Sequence, residues 1–273
     1  MKIDDKITAV PQWDKTAKEV WDERFAALTD DEEDEEQTPS APAPTLRIAV
    51  WGKRLFSVAA ALLLLFSATA YFYAKNLKAA TGQTLAVVLP DGSQAQLSSA
   101  SELSYRPLLW MLSHKVTLQG EAYFSGHHAK NFTVETANGD INVLGTSFNA
   151  RSFDDQLEVA CIDGRVKVST RQASVVLTAG METATRAGQE QLTTRHFTDA
   201  ESITGWTHGV FFFYNRPLTD VLKEVERHYG VKIETADNID TLRYTGRFTR
   251  DKSAADVLTI IGQPYGITFK ITK

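Results

Sequence analysis

The sequence predicts a membrane-anchored chain of several domains. A short α-helical segment in the cytoplasm leads to one transmembrane helix, an all-β domain beyond it, and a small α+β module of βαβ-βαβ form. Three observations carry this. Leu55 to Ala74 hold no charged residue. Residues 84–192 repeat strand-and-turn signals, and the last 70 or so residues contain an internal repeat. The composition fits: 43% of the 273 residues are hydrophobic, enough to build a core. The net charge of −5 is uneven, because residues 1–50 alone hold 6 Lys+Arg against 13 Asp+Glu. The remainder is close to neutral, so no basic face argues for nucleic acid. A single cysteine excludes an internal disulfide framework and a paired-cysteine metal or redox site.

Residues 1–29 are read as a helical binding segment. Trp13, Ala17, Val20, Trp21, Phe25 and Leu28 fall at helical spacing on one side, with Asp, Lys, Glu and Arg on the other. So short and acidic a segment cannot bury much core by itself. Two tryptophans on a lone amphipathic helix need a partner, and the mixed-to-acidic polar face favours a protein over a lipid surface. Residues 30–52 form a linker: seven consecutive acids from Asp30 to Glu36, then a Pro-rich spacer, QTPSAPAPT.

Residues 53–74 are read as the span. Twenty helical residues cover about 30 Å, the thickness of a bilayer's hydrocarbon core. Trp51, Tyr71 and Tyr73 lie where interfacial aromatics sit. A removable signal peptide fits poorly, since more than 50 residues precede the run. Arg47, Lys53 and Arg54 before the span, against Lys75 and Lys78 after it, place the N-terminus in the cytoplasm. The C-terminal ~200 residues then lie on the other side of the membrane.

Residues 80–192 are predicted to be all-β, with eight or more short strands. Asp91-Gly92, Asn138-Gly139 and Asp163-Gly164 interrupt alternating runs, which is the strongest short-range hairpin signal. In residues 205–273, Asp220, Val221, Leu222, Tyr229 and Gly230 recur 36 positions later as Asp256, Val257, Leu258, Tyr265 and Gly266. Each unit reads strand, short helix, strand. Pro217 suits a first helical position and Ser253 with Asp256 a capping box. Gly230 and Gly266 suit left-handed helix stops. One unit cannot bury its own apolar stripe, but two packed together can.

No phosphate-binding loop, HExxH, GxSxG or dinucleotide glycine pattern is present. His127-His128 is the one histidine pair, and neighbours on a strand point to opposite faces, so no metal site is expected. Cys161 lies in an apolar strand and reads as a buried filler. No enzyme active site, cofactor or small-molecule substrate is expected.

Several motifs resemble a family. LPDGSQAQLSSASELSY (89–105), VTLQGEAYFS (116–125), FTVETANGDINVLGTSFNA (132–150) and IDGRVKV (162–168) resemble the FecR-type transmembrane anti-sigma factors. WTHGVFFFYNRPLTDVLKEVERHYGVKI (206–233) is similar to the C-terminal module of many of them, itself akin to short domains of secretins and TonB-dependent receptors. The resemblance implies a single-pass protein of a Gram-negative inner membrane, with its C-terminal part in the periplasm. It implies an extracytoplasmic-function sigma factor bound by Trp13, Val20, Trp21, Phe25 and Leu28. It also implies the periplasmic signalling domain of a TonB-dependent outer-membrane transporter at the C-terminal module. Phe212, Leu218, Val221, Leu222, Tyr229, Val257, Leu258 and Tyr265 are the residues expected to carry that contact. Some members of the family cleave themselves between Gly and Thr, which points to Gly145-Thr146. An alternative reading of the same module is a membrane-tethered structural or assembly component of an envelope transport system.

Overall fold

The computed structural model describes residues 15–25, 48–126, 131–186 and 189–272. Trp13, Leu28, His127, His128 and most of the acidic and Pro-rich linker lie outside them.

Helix α1 spans Ala17–Phe25. Its start is a capping box: the Thr16 N–H donates to Glu19 Oε2 at 2.8 Å, and the Glu19 N–H points back at Thr16 Oγ1. Helix α2 spans Ile48–Phe72. Its stretch Leu55–Phe72 is long and apolar enough to cross a membrane, and 6% of it is buried within the protein.

The β domain holds thirteen strands among the described residues. They are β1 (Lys75–Lys78), β2 (Leu85–Val88), β3 (Gln94–Leu97) and β4 (Glu102–Tyr105), then one turn of helix, α3 (Trp110–Ser113). After it come β5 (Lys115–Ser125), β6 (Phe132–Thr136), β7 (Gly139–Val143), β8 (Ser147–Phe153), β9 (Gln156–Asp163) and β10 (Arg165–Ser169). The last three are β11 (Ser174–Thr178), β12 (Met181–Arg186) and β13 (Gln189–His196). The strands thus begin before residue 80 and run past residue 192.

The strands form two layers joined by one shared strand. The first half of β5 pairs with β4 and β6, continuing to β1 on one side and to β7, β10 and β11 on the other. Its second half pairs with β3 and β8, continuing to β2, and to β9, β12 and β13. Apolar side chains from both layers, including Leu97, Leu103, Leu118, Phe124, Phe132, Ile141 and Phe148, form one core. The hairpins at Asp91-Gly92 and Asn138-Gly139 form as expected. Asp163-Gly164 does not close a hairpin. There β9 and β10 do not pair, and the chain crosses from the second layer to the first. The dipeptide supplies the positive φ of +86° at Gly164 that a sharp corner needs, which hairpins and crossovers use alike.

β5 changes layers at Gly120. Its φ is +111°, and a Cβ there would lie 2.6 Å from Ser101 Cβ and 2.8 Å from Ser101 Cα. Backbone and space both demand glycine.

The C-terminal module follows a short helix, α4 (Glu201–Thr204). It runs β14 (Val210–Pro217), α5 (Leu218–Tyr229), β15 (Lys232–Glu234), β16 (Arg243–Thr249), α6 (Ala254–Gly262) and β17 (Lys270–Thr272). Neither repeat pairs with itself. β14 pairs with β16 and β15 with β17, both antiparallel, so each two-stranded sheet takes one strand from each repeat. Ser253 caps α6 as expected, accepting the Asp256 N–H at 3.2 Å. Gly230 and Gly266 both adopt φ of +67° at the helix stops. Pro217 closes β14 and stands one place before α5 rather than inside it, because its ψ of 133° keeps it extended, in the ladder opposite Arg243.

Gly120→Ala is expected to destabilise the β domain by roughly 2–4 kcal/mol through overpacking and backbone strain. Urea unfolding of the variant against wild type measures this, and a change within 0.5 kcal/mol (the ordinary surface scatter of about that size) would contradict it.

Candidate functional site

The outer face of the second layer is not solvated, because the C-terminal module sits on it. Alternation along β5 puts Ala122 and Phe124 into the core and turns Glu121 and Tyr123 outward. Register then aligns Glu121 with Arg151 on β8, and Arg151 with Glu158 on β9, in one rung across three strands. The next rung places Gln96, Tyr123 and Asn149 side by side.

The module completes both rungs. Arg216 of β14 grips Glu158 with two hydrogen bonds, at 2.9 and 2.5 Å. Glu224 of α5 accepts from Arg151 at 2.9 Å and from Arg227 at 2.7 Å. The Arg227 guanidinium also stacks over Phe153, 4.2 Å from its centroid. Lys223 reaches Asp154 at 3.0 Å. In the second rung the Trp206 indole N–H donates to Asn149 Oδ1 at 3.1 Å, the Asn149 amide donates to Glu121 at 2.9 Å, and Gln96 donates to the Thr207 carbonyl. Tyr123 packs against the module's core. At the far end of α5, the Ser99 hydroxyl donates to the Arg227 carbonyl at 2.7 Å while accepting the Gly82 N–H.

Six buried or half-buried charges therefore meet at this junction, three acids and three arginines. Burial alone would neutralise the acids. At Glu158 burial pushes the carboxyl up, but Arg216 and Arg151 outweigh it and hold it at about 2. Glu224 is likewise held low against burial by Arg151 and Arg227. Arg151 stays charged among its acids despite its burial. Glu121 is the exception: burial raises it to about 7, and attraction to Arg151 does not compensate.

The module's core joins the two repeats. Leu218, Val221, Leu222, Val257 and Leu258 are buried in it. They build the fold, and Leu258 also lines a groove at the surface. Phe212, Tyr229 and Tyr265 are half-buried. The Tyr229 hydroxyl donates to the Lys252 carbonyl just before α6, and Tyr265 to Arg243, which stands opposite Pro217 just before α5. Accessible apolar surface lies in a groove between α6 and the last strand, lined by Ala255, Leu258, Thr259, Ile267, Phe269 and Ile271 among others. Sequence reading placed Leu258 on the apolar stripe but missed the rest of this groove, because Thr259, Ile267, Phe269 and Ile271 lie outside that stripe.

Gly145 and Thr146 join β7 to β8. Gly145 has φ of +59°, with open space where a Cβ would stand. Thr146 is buried. Its hydroxyl donates to the Arg165 carbonyl at 2.9 Å, with the Leu144 carbonyl at 3.2 Å, and accepts the Arg165 N–H. Val20 on α1 is exposed; Trp21 and Phe25 also fall on α1. Cys161 is fully buried, and burial raises its thiol to about 11, as expected of a filler.

Residues 75–167 match the model of the FecR protein family, and residues 210–273 that of the FecR C-terminal domain. No curated protein matches the chain. Two crystal structures, at 2.50 and 1.65 Å resolution, of a proposed anti-sigma factor from Parabacteroides distasonis are similar in fold. They match with TM-scores of 0.64 and 0.66, each at 24% identity. The matches cover 72% and 73% of this chain, and 94% and 99% of those chains.

The junction's pH dependence follows from Glu121. Its folded-state pKa lies above its unfolded value, so the stability it contributes is full below about 4.5 and is lost as pH rises through about 7. Glu121→Gln keeps an acceptor for Asn149 and removes the charge. Thermal unfolding of wild type and variant from pH 5 to 8 is expected to diverge, the variant gaining on the order of 2–3 kcal/mol at pH 8 relative to pH 5. Parallel curves would mean that Glu121 is not the group responsible.

Proposed function

We propose that this chain, which belongs to the FecR family through its two matched domains, is a single-pass inner-membrane anti-sigma factor. Its N-terminal segment holds an extracytoplasmic-function sigma factor in the cytoplasm. Its C-terminal module meets, in the periplasm, the signalling domain of a TonB-dependent outer-membrane transporter. Members of this family signal and do not catalyse. The observation that carries the reading is the order of parts: a capped helix, one helix able to cross a membrane, then the FecR domain with the FecR C-terminal domain seated on it.

Each part has a physical role in this scheme. The groove between α6 and β17 supplies apolar surface, and the two-stranded β15–β17 sheet has unpaired outer edges that an incoming strand can extend. The Arg151–Glu224 and Arg216–Glu158 pairs cross from the β domain to the module and resist its peeling, because both pairs must separate together. A load on the module therefore reaches the β domain. The domain's first strand, Lys75–Lys78, follows the membrane helix after two residues.

Cleavage between Gly145 and Thr146 is the proposed switch. The Thr146 hydroxyl attacks the Gly145 carbonyl, the peptide C–N bond breaks as the ester C–O bond forms, and the amine takes up the proton. Water then hydrolyses the ester to a Gly145 carboxylate and a free Thr146 amine and hydroxyl. The positive φ of +59° at Gly145, a conformation that favours glycine, marks the bend at which this bond lies.

Two outcomes are expected. Full-length protein captured from cells brings down an extracytoplasmic-function sigma factor, and Trp13→Ala/Trp21→Ala reduces that capture at least tenfold with the protein still in the membrane. Capture that does not depend on the tryptophans would place the sigma site elsewhere, and none at all would favour the assembly-component reading. An immunoblot through a C-terminal tag shows a fragment starting at Thr146 in wild type, absent in Thr146→Ala. Full-length chain in both would end the cleavage proposal and leave the anti-sigma reading standing.

A further inference from the structure

The chain returns to the membrane end of the β domain immediately after leaving it. α2 ends at Phe72 and β1 starts at Lys75. β1 pairs antiparallel with β4, with Lys75 opposite Tyr105, so the end of β4 lies beside the end of α2. The next residues, Arg106–His114, form a 3-10 turn and α3 before β5 begins. Two cation–ring contacts bind this loop to the exit of α2. The Arg106 guanidinium lies 4.7 Å from the Tyr71 ring centroid, and Lys75 Nζ lies 5.9 Å from that of Tyr105.

The loop is pinned on one side and bare on the other. Trp110 is buried, its ring 5.5 Å from Tyr105 and 6.2 Å from Phe132. Leu108, Met111 and Leu112 point the opposite way, 48%, 84% and 84% exposed. His114 then takes φ of +43° and turns the chain into β5. Register brings a fourth apolar residue to the same end of this layer: Val143 stands opposite Phe132, and Leu144 after it is exposed. Large apolar side chains at a tip, with Arg106, Lys75, Lys115, Tyr71 and Tyr73 around it, are the composition of an interfacial anchor. Two residues of linker span less than about 10 Å even when extended, so this end of the domain cannot leave the bilayer surface.

We propose that Leu108, Met111 and Leu112 insert into the lipid leaflet from which the C-terminal end of α2 emerges. The β domain is then held on the membrane at two points, the span and this loop, and its tilt is fixed. The inference rests on the reading of α2 as a membrane span. The occupant is lipid because the loop is continuous with the end of that helix and tied to its last turn through Arg106 and Tyr71.

The test uses the full-length chain in lipid nanodiscs, in a Cys161→Ala background, with an environment-sensitive fluorophore on Met111→Cys or, separately, on Leu63→Cys in α2. Lipids carry nitroxide quenchers at a shallow or a deep acyl position. The Met111→Cys probe is expected to be blue-shifted and quenched at least twofold more by shallow than by deep nitroxide, while the Leu63→Cys probe shows the reverse. Adding Leu108→Asp/Leu112→Asp, both at exposed positions, is expected to abolish quenching at Met111→Cys and leave Leu63→Cys unchanged. A Met111→Cys probe that is red-shifted, or blue-shifted without lipid quenching, overturns the proposal; the second result means that protein, a partner or a second copy, covers the loop. Persistence of quenching in the aspartate variant also overturns it. Loss of quenching at Leu63→Cys overturns the membrane-span reading itself and is read separately.

Discussion

Three charges in a row across β5, β8 and β9 set the terms for everything above them. Glu121, Arg151 and Glu158 form a rung with one acid too many. In water such a rung is unremarkable, but beneath a packed module it is not tolerable without partners. Arg216, Glu224 and Arg227 arrive from two elements of the C-terminal module and balance the count. Because the arginine forks accept little misplacement, the module has one seat and one orientation. Hydrophobic contact through Tyr123 and Trp206 adds adhesion, while the charges supply the register.

Gly120 and Glu121 are consecutive, and their adjacency links the two halves of the design. At Gly120 strand β5 turns from one layer to the other, and at Glu121 it touches the network under the module. The first half of the same strand pairs with β4, whose other neighbour β1 follows the membrane helix. A rigid path of hydrogen-bonded strands thus runs from the module's seat to the exit of α2. The module gains its own rigidity differently. Its repeats exchange strands, so neither helix can shift without disturbing both small sheets.

Much of this was legible in the amino-acid order, for identifiable reasons. The span and the 36-residue repeat are one-dimensional patterns, and the Ser253–Asp256 cap is a local bond. The exchanged pairing of β14 with β16 was not readable, since a repeat does not say whether its strands pair within or between copies. Asp163-Gly164 misled because the dipeptide reports a positive φ and not what the chain does after the corner. The charged rung left half a signal: alternation turns Glu121, Arg151 and Glu158 away from the core in their own strands. That the three strands are neighbours depends on long-range pairing, which no local pattern encodes. The stripe of Leu218, Val221, Leu222, Val257 and Leu258 was correctly found to be apolar, and it packs into the module's core, with Leu258 also at the edge of the groove.

The position of Gly145 has a topological consequence. The bond after it lies between β7 and β8, and these strands are stitched to opposite sides of the break. β7 pairs with β10 from the later part of the chain, and β8 pairs with β5 from the earlier part. Severing that bond would therefore give two interlaced polypeptides sharing one hydrophobic core, with no separate products to diffuse apart. Their union would no longer be covalent, and it would rest on two antiparallel ladders, the shared core and the module's contacts with the earlier strands. Steady tension could then part the halves, where before it could only stretch a continuous chain.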